Sequence, residues 1–599
     1  MSAVDLAPSA PRAAGVHWDL SSLAPDAETA RRRMDEALER CRAFEAAYRG
    51  TIAEIRPQRL AEMLRELAEI DNELSRLASY AHLREAVDVT DQENRDLSAA
   101  IDRALVEAAN LLRFAEHEWI ALPDDVARDL SDAPEVAADA HYLRALRRYG
   151  PHTLSEPEER ALAERTPAAV SAWQTLFGQI TSTLETPFDA GDGPEPHNLD
   201  RLLALMRDRR RKVRRRAFKA LYGMLEPHTP VLAHCYDTLV ADRLVMDRLR
   251  EYGGPMEATH LRNEVDSEVV DRMLEAVERH YGLAQRWFTT KAGLLGIDQM
   301  TVYDQYAPVG DPRPVRFDEA VRLVGDSFDR FSPAIGDIAR GFFAERRVDA
   351  EPRAGKRGGA FCSPVAQNAR PYVLLNYTDR MDDVMTMAHE LGHGMHFTLA
   401  HDHQTALSAG TGLALAEIAS TFGELLTFDF LLARESDPDT RRALVSERVE
   451  GAFATIFRQT VLCRFEQAAY GMRAEGQTLT VERLAEAWLE ANHRYYGDSV
   501  RMPKPYRLGW SYIVHFVSTR FYTYAYSFAQ LVALVLYGRY RRDGEAFVGR
   551  YLDFLAAGGS EAPVPLLARL GVDLREPAVW DEGFAEVERM IEEARAIAA

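Results

Sequence analysis

The chain has 599 residues, 28% of them charged and 47% hydrophobic, a globular composition long enough for more than one core. A formal net charge of −21 argues against a nucleic-acid partner. The four cysteines, Cys41, Cys235, Cys362 and Cys463, fall at no metal-binding or disulfide-framework spacing, which fits a reducing cytoplasm.

Residues 1–15 are rich in Ala, Pro and Ser and are expected to form a disordered tail. After residues 18–23 (Trp-Asp-Leu-Ser-Ser-Leu) the chain reads as helix. Leu60, Met63, Leu64, Leu67, Ile70, Leu74 and Leu77 keep a helical period with polar residues between them. Similar amphipathic runs cover about 91–121, 155–186, 228–252, 266–295, 437–472, 509–538 and 579–598, which predicts a mainly α fold. In chain order, 16–200 is expected to form an N-terminal helical region and 201–599 a catalytic region. No stretch of the first 40 residues reads as a signal peptide, and the apolar run 531–537 is too short to span a bilayer, so no membrane partner is expected.

Residues 209–216 (Arg-Arg-Arg-Lys-Val-Arg-Arg-Arg) invite a nucleic-acid reading. No aromatic residues interleave with them, and a solvated helix face paired with acidic residues accounts for the run. Strand signals are few: 302–307, 358–363 and 372–376 precede the segment with the strongest chemical signal, and predict a small sheet beside it. A peptide could pair with an edge of such a sheet through its own backbone.

That segment contains His389-Glu390-Leu391-Gly392-His393 within a helical pattern. Histidines four apart lie on one helix face and can grip one zinc ion, and Glu390 between them is placed to handle a proton on water at the metal. Gly392 and Gly394 each cost a helix about 1 kcal/mol relative to Ala, so something is expected to pack closely against them. A hydrolytic zinc site takes three protein ligands and keeps a fourth place open. His396, His401, Asp402, His403, Glu417 and Glu424 are the downstream candidates for the third. Leu399 stands where a metzincin needs its third histidine, which excludes that class. Glu417 and Glu424 are two turns apart on a second predicted helix, so they share a face. Glu417 can ligate, and Glu424 can hold the outer nitrogen of a ligating histidine.

These residues resemble the oligoendopeptidase F family of zinc peptidases, relatives of thimet oligopeptidase and neurolysin. The matching pieces are residues 389–396, Ala416 to Glu424, Gly355 to Cys362 upstream, and downstream Trp510 to His515 followed by Phe521, Tyr522, Tyr524 and Tyr526. The resemblance implies a two-lobed, almost all-helical metallopeptidase with a deep substrate channel, hydrolysing internal bonds of short oligopeptides. It carries over His389, His393 and Glu417 as ligands of one zinc ion, Glu390 as general base, and His515 and Tyr524 as hydrogen-bond partners of the substrate. Tyr522 is a second candidate, because Phe521 stands where one of the distant relatives has tyrosine. A carboxypeptidase or dipeptidyl carboxypeptidase on the same scaffold is the alternative activity. A helical binding protein with a vestigial metal site is the non-enzymatic one.

Overall fold

The computed structural model describes residues 13–191 and 193–598. Residues 1–12 of the expected tail lie outside the described residues; Ala13 is buried, and the Gly15 amide donates to Glu351 at 3.0 Å. The fold is mainly α with a few short strands. It divides into two compact units, each built from three separate stretches of chain. One comprises residues up to 150, 313–434 and 539–572; the other comprises 151–312, 435–538 and 573 onward. Both units therefore cross the sequence position expected to divide the chain, near residue 200.

In the first unit, long helices at Ala27–Tyr48, Pro57–Val87 and Gln92–Ile120 bury one apolar face each. The first and third start at short acidic side chains, where Asp26 accepts from the Thr29 amide at 2.7 Å and Asp91 from the Asn94 amide at 2.8 Å, and the second opens on Pro57. Leu38, Phe44, Ile70, Leu77, Ile101, Phe114 and Trp119 form their common core, and the buried Trp119 indole donates to the Leu143 carbonyl at 2.8 Å. The same unit holds a three-stranded sheet. Its central strand, Tyr372–Leu374, runs parallel to Val348–Asp349 and antiparallel to Phe361–Ser363. Lys356 ties this region together from beneath: its buried ammonium pairs with Asp349 at 2.7 Å and donates to the Leu375 carbonyl at 2.6 Å.

In the second unit, the segment expected as a strand over 302–307 behaves differently. Only Met300–Thr301 is extended, parallel to Val500–Arg501, and Val302–Asp304 is a 3-10 turn. The reason is Asp304, which turns back to accept from the Thr301 amide at 3.1 Å and is gripped by Arg211 at 2.8 Å and Arg214 at 2.7 Å. That grip also explains the basic run. Arg214 is buried against the fully buried Asp304, Arg210 pairs with Asp208, Arg209 with Asp311, and Arg216 donates to the Asp189 carbonyl. Lys212 and Arg215 are exposed, so the run is a largely solvated helix face with Arg211 and Arg214 anchoring it to Asp304.

The amphipathic run 266–295 resolves into two helices, Ser267–Arg279 and Tyr281–Leu294, and the run 437–472 into Pro438–Thr455 and Phe457–Ala474. The run 509–538 is interrupted more deeply: helix Val514–Ser518 ends, the chain turns through Phe521 at φ +49°, and helix Tyr524–Asp543 begins.

Candidate metal centre

The His-Glu-x-x-His segment lies in the helix Met381–His403 of the first unit. Asp383 starts it by accepting from the Thr378 and Arg380 amides at 2.7 and 3.0 Å. The helix Leu413–Leu432 packs against it. Their approach is set by glycine. A Cβ on Gly392 would stand 2.6 Å from Ser420 Cα and 2.8 Å from the Ala419 carbonyl oxygen, both backbone atoms of the second helix. A Cβ on Gly423 would stand 3.0 Å from the Ala388 carbonyl, and one on Gly394 would run into the Phe342 ring. The glycines expected to admit a close neighbour do so, at the cost in helix propensity noted above. Beneath the second helix Phe422 stacks on Tyr551 at 4.3 Å and meets Phe331 edge-on at 5.3 Å, which backs the crossing with a rigid aromatic layer.

This contact brings together three atoms able to ligate a metal. One donor atom each from His389, His393 and Glu417 lies within 4.8 Å of the others. Glu417 Oε2 is 3.5 Å from His389 Nε2 and 3.7 Å from His393 Nε2. Ser420, unforeseen in the sequence, donates to the same Oε2 at 3.1 Å. On the other side of the first imidazole, His389 Nδ1 donates to Glu424 Oε1 at 2.5 Å, which fixes the ring so that Nε2 faces the cluster. The remaining candidates are occupied elsewhere. His396 is buried against Phe554, His401 contacts the Ala369 carbonyl, Asp402 pairs with Arg370, and His403 holds the Leu399 carbonyl.

The electrostatics suit a cation. Burial works against a charged His389, but the hydrogen bond and charge of Glu424, with Glu390 and Glu417 behind it, outweigh burial and push it up to about 9. Burial, then the charges of His389 and His396, hold His393 well below its ordinary range, and its buried Nδ1 has no hydrogen-bond partner. Burial raises Glu390 to about 7 against the pull of His389, with the carboxylates of Glu417 and Glu424 adding to the rise and the Cys362 amide opposing it. Two imidazoles and one carboxylate converging with acidic groups behind them fit a divalent, borderline-soft metal ion.

The expected sheet lies beside this helix: strands Phe361–Ser363 and Tyr372–Leu374 both contact Met381–His403. Phe361–Ser363 is one of the sheet's two edge strands.

The other expected site residues belong to the second unit. His515 and Tyr522 stack at 5.6 Å, and Tyr526 meets Tyr522 edge-on at 5.2 Å; all three side chains are partly exposed. Tyr524 departs from the expectation that it faces a substrate. Its side chain is 0% exposed, and its hydroxyl accepts from Asn263 Nδ2 at 2.8 Å and lies 3.1 Å from His260 Nδ1. Tyr522 lies in the turn before the helix and its ring meets Tyr526 in the first helical turn, whereas Tyr524 is drawn into the core. Asn263 and His260 carried no signal in the sequence.

A model of peptidase family M3 matches residues 204–586, and one described as Oligopeptidase F matches residues 118–185. The chain belongs to peptidase family M3. It is 27% identical to Oligopeptidase PepF of Bacillus subtilis over 91% of this chain and 82% of that protein, and 27% identical to Group B oligopeptidase PepB of Streptococcus agalactiae over 90% and 91%. A crystal structure from Chlamydophila abortus, 24% identical, superposes with a TM-score of 0.86 over 98% of this chain and all of that one. The oligoendopeptidase-F of Enterococcus faecium, 22% identical, does so with a TM-score of 0.71 over 95% and 98%. The resemblance to the oligoendopeptidase F family holds, and the protein is a metallo-oligopeptidase that acts on peptides. Among the described residues no helix is long and apolar enough to cross a membrane.

Proposed function

We propose that this M3 peptidase is a zinc-dependent endopeptidase that hydrolyses internal bonds of short peptides. The observation that carries the reading is the convergence of His389, His393 and Glu417, with Glu424 orienting His389 and Glu390 buried beside the group. His389, His393 and Glu417 would hold one zinc ion. Bound there, zinc supplies Lewis acidity and lowers the pKa of water from 15.7 to about 7.

Glu390 is the general base. In the metal-free protein its burial and the two neighbouring carboxylates raise its affinity for a proton, which suits a group that takes a proton from water and passes it to the departing amide nitrogen. Ser420 holds Glu417 by its Oε2, and Glu424 holds His389 in one tautomer, so the two ligand-bearing helices present their donors pre-aligned. His515 and Tyr522 are the hydrogen-bond donors for the substrate carbonyl, a role favoured by their mutual stacking and partial exposure. The edge strand Phe361–Ser363 offers backbone groups to an extended peptide. Cytoplasmic residence is supported by free thiols at all four cysteines, three of them buried.

The test uses an internally quenched peptide with both ends blocked, together with metal analysis of the purified protein. Cleavage that stops on chelation and returns with zinc supports the reading. Cleavage restricted to peptides with a free C-terminus assigns a carboxypeptidase or dipeptidyl carboxypeptidase instead, and no cleavage by a zinc-loaded protein removes the zinc-endopeptidase reading.

A further inference from the structure

The turn between helices Val514–Ser518 and Tyr524–Asp543 carries Tyr522, and the helix that enters it carries His515. A turn of this kind leaves backbone groups without helical partners, and each needs another. Here they are met by side chains from three other helices of the same unit. Arg243 donates to the Phe516 carbonyl at 2.9 Å and to the Val517 carbonyl at 2.6 Å. Gln174 donates to the Val517 and Ser518 carbonyls at 2.9 and 3.2 Å. The Phe521 amide donates to both oxygens of Glu466, at 3.1 and 3.2 Å. Glu466 is 0% exposed, an unusual place for a carboxyl group.

Phe521 itself is the second observation. Its φ of +49° lies in the left-handed region, which a bulky side chain rarely adopts and which persists only where the surroundings impose it. The conformation turns the Phe521 ring inward onto Tyr470, at 4.8 Å, while the next residue, Tyr522, stacks on His515. Tyr470 in turn accepts from Arg243 at 3.1 Å, so one guanidinium links the ring under the turn to the carbonyls that open it. Arg520 is fixed from the side by Asp247 at 2.6 Å.

We propose that Glu466 and Arg243 are positioning residues, which hold the strained turn so that Tyr522 and His515 keep the orientation needed to meet a substrate. The assignment rests on the catalytic reading of that pair given above. Neither residue touches substrate; both act through the backbone of 516–521. Loss of such a hold shifts Tyr522 by a fraction of its own length, and displacements near 1 Å are known to slow catalysis by about 100-fold.

The experiment measures kcat and KM on the quenched peptide for Glu466→Met, Glu466→Gln and Arg243→Lys, with metal content and thermal midpoint recorded for each, and repeats each with Tyr522→Phe. Glu466→Met is expected to lower kcat by about 10- to 100-fold with KM within about twofold and zinc content unchanged. Glu466→Gln, which keeps one acceptor for the Phe521 amide, is expected to recover most of the loss. Tyr522→Phe should cost much less in the Glu466→Met and Arg243→Lys backgrounds than alone, because the hydroxyl is already misplaced. Arg243→Lys keeps the test open if Glu466→Met does not fold. Wild-type kcat in folded Glu466→Met or Arg243→Lys, or an undiminished cost of Tyr522→Phe in both, overturns the assignment while leaving the catalytic pair intact. If Tyr522→Phe and His515→Ala both turn over at the wild-type rate, the catalytic reading of the pair fails first, and the positioning role falls with it.

Discussion

Replacing Gly392 with Ala adds one methyl group where the two ligand-bearing helices touch. The new Cβ would stand 2.6 Å from Ser420 Cα and 2.8 Å from the Ala419 oxygen, whereas carbon atoms rest at about 3.5–4.0 Å. Both obstacles are backbone, so no side chain can swing away, and the helices must separate by about 1 Å. Overpacking of this kind costs about 1–3 kcal/mol, and the gain in helix propensity from Gly to Ala returns about 1 kcal/mol. The metal-free protein is therefore expected to lose no more than about 2 kcal/mol. The metal should respond more sharply. His389 and His393 ride on one helix and Glu417 on the other, and ligand distances tolerate only about 0.2 Å. Zinc affinity is expected to fall by about 100-fold or more, measured by competition with a chromophoric chelator, while calorimetry of the metal-free protein shows the modest stability change. Wild-type zinc affinity in a folded Gly392→Ala protein would falsify the claim that this backbone contact sets the ligand geometry.

Other substitutions separate the roles around the centre. Glu390→Gln should keep its zinc, by metal analysis, and lose about 100- to 10,000-fold in turnover; normal turnover would remove Glu390 from the mechanism. Glu424→Gln should weaken zinc binding by about 10- to 100-fold through loss of the charged partner of His389, and an unchanged affinity would show that Glu424 does not orient the ligand. Tyr522→Phe should slow turnover by about 10- to 1000-fold, whereas Tyr524→Phe, which strands Asn263 and His260, should lower stability by about 1–3 kcal/mol with little effect on kcat; the reverse pattern would return the donor role to Tyr524. Metal binding should depend on pH with a definite sign. His389 is pushed up to about 9 in the metal-free protein, so below that pH it must shed a proton to ligate, while His393 is already neutral. Zinc affinity should thus rise about tenfold per pH unit toward pH 9 and then level off; an affinity flat from pH 6 to 8 would contradict this.

Much of the candidate site was legible because the groups that converge there are local in sequence. His389 and His393 are one helical turn apart, and Glu417 and Glu424 two turns apart, so a period of 3.6 residues already aligns each pair before any packing occurs. Gly392 and Gly394 announced a close neighbour by their poor helix propensity, though not which one. Residues that serve the site through long-range contacts left no such mark: Ser420 on Glu417, Gly423 against Ala388, and Asn263 and His260 on Tyr524. The strand expected at 302–307 failed for a related reason, since the buried pairing of Asp304 with Arg211 and Arg214 spans some 90 residues and no local pattern encodes it.

The amino-acid order by itself determined the helical class, the two ligand-bearing helices and which of their faces carry metal-binding groups, because helical periodicity and metal-ligand spacing are short-range properties. Tertiary structure decided that Glu417 meets the two histidines, that Tyr522 stays partly exposed while Tyr524 is drawn into the core, and that Arg211 and Arg214 of a basic run pair with Asp304. Those outcomes depend on which backbones can approach to contact and which buried charges find partners, and both are settled only when segments far apart in the chain pack against each other.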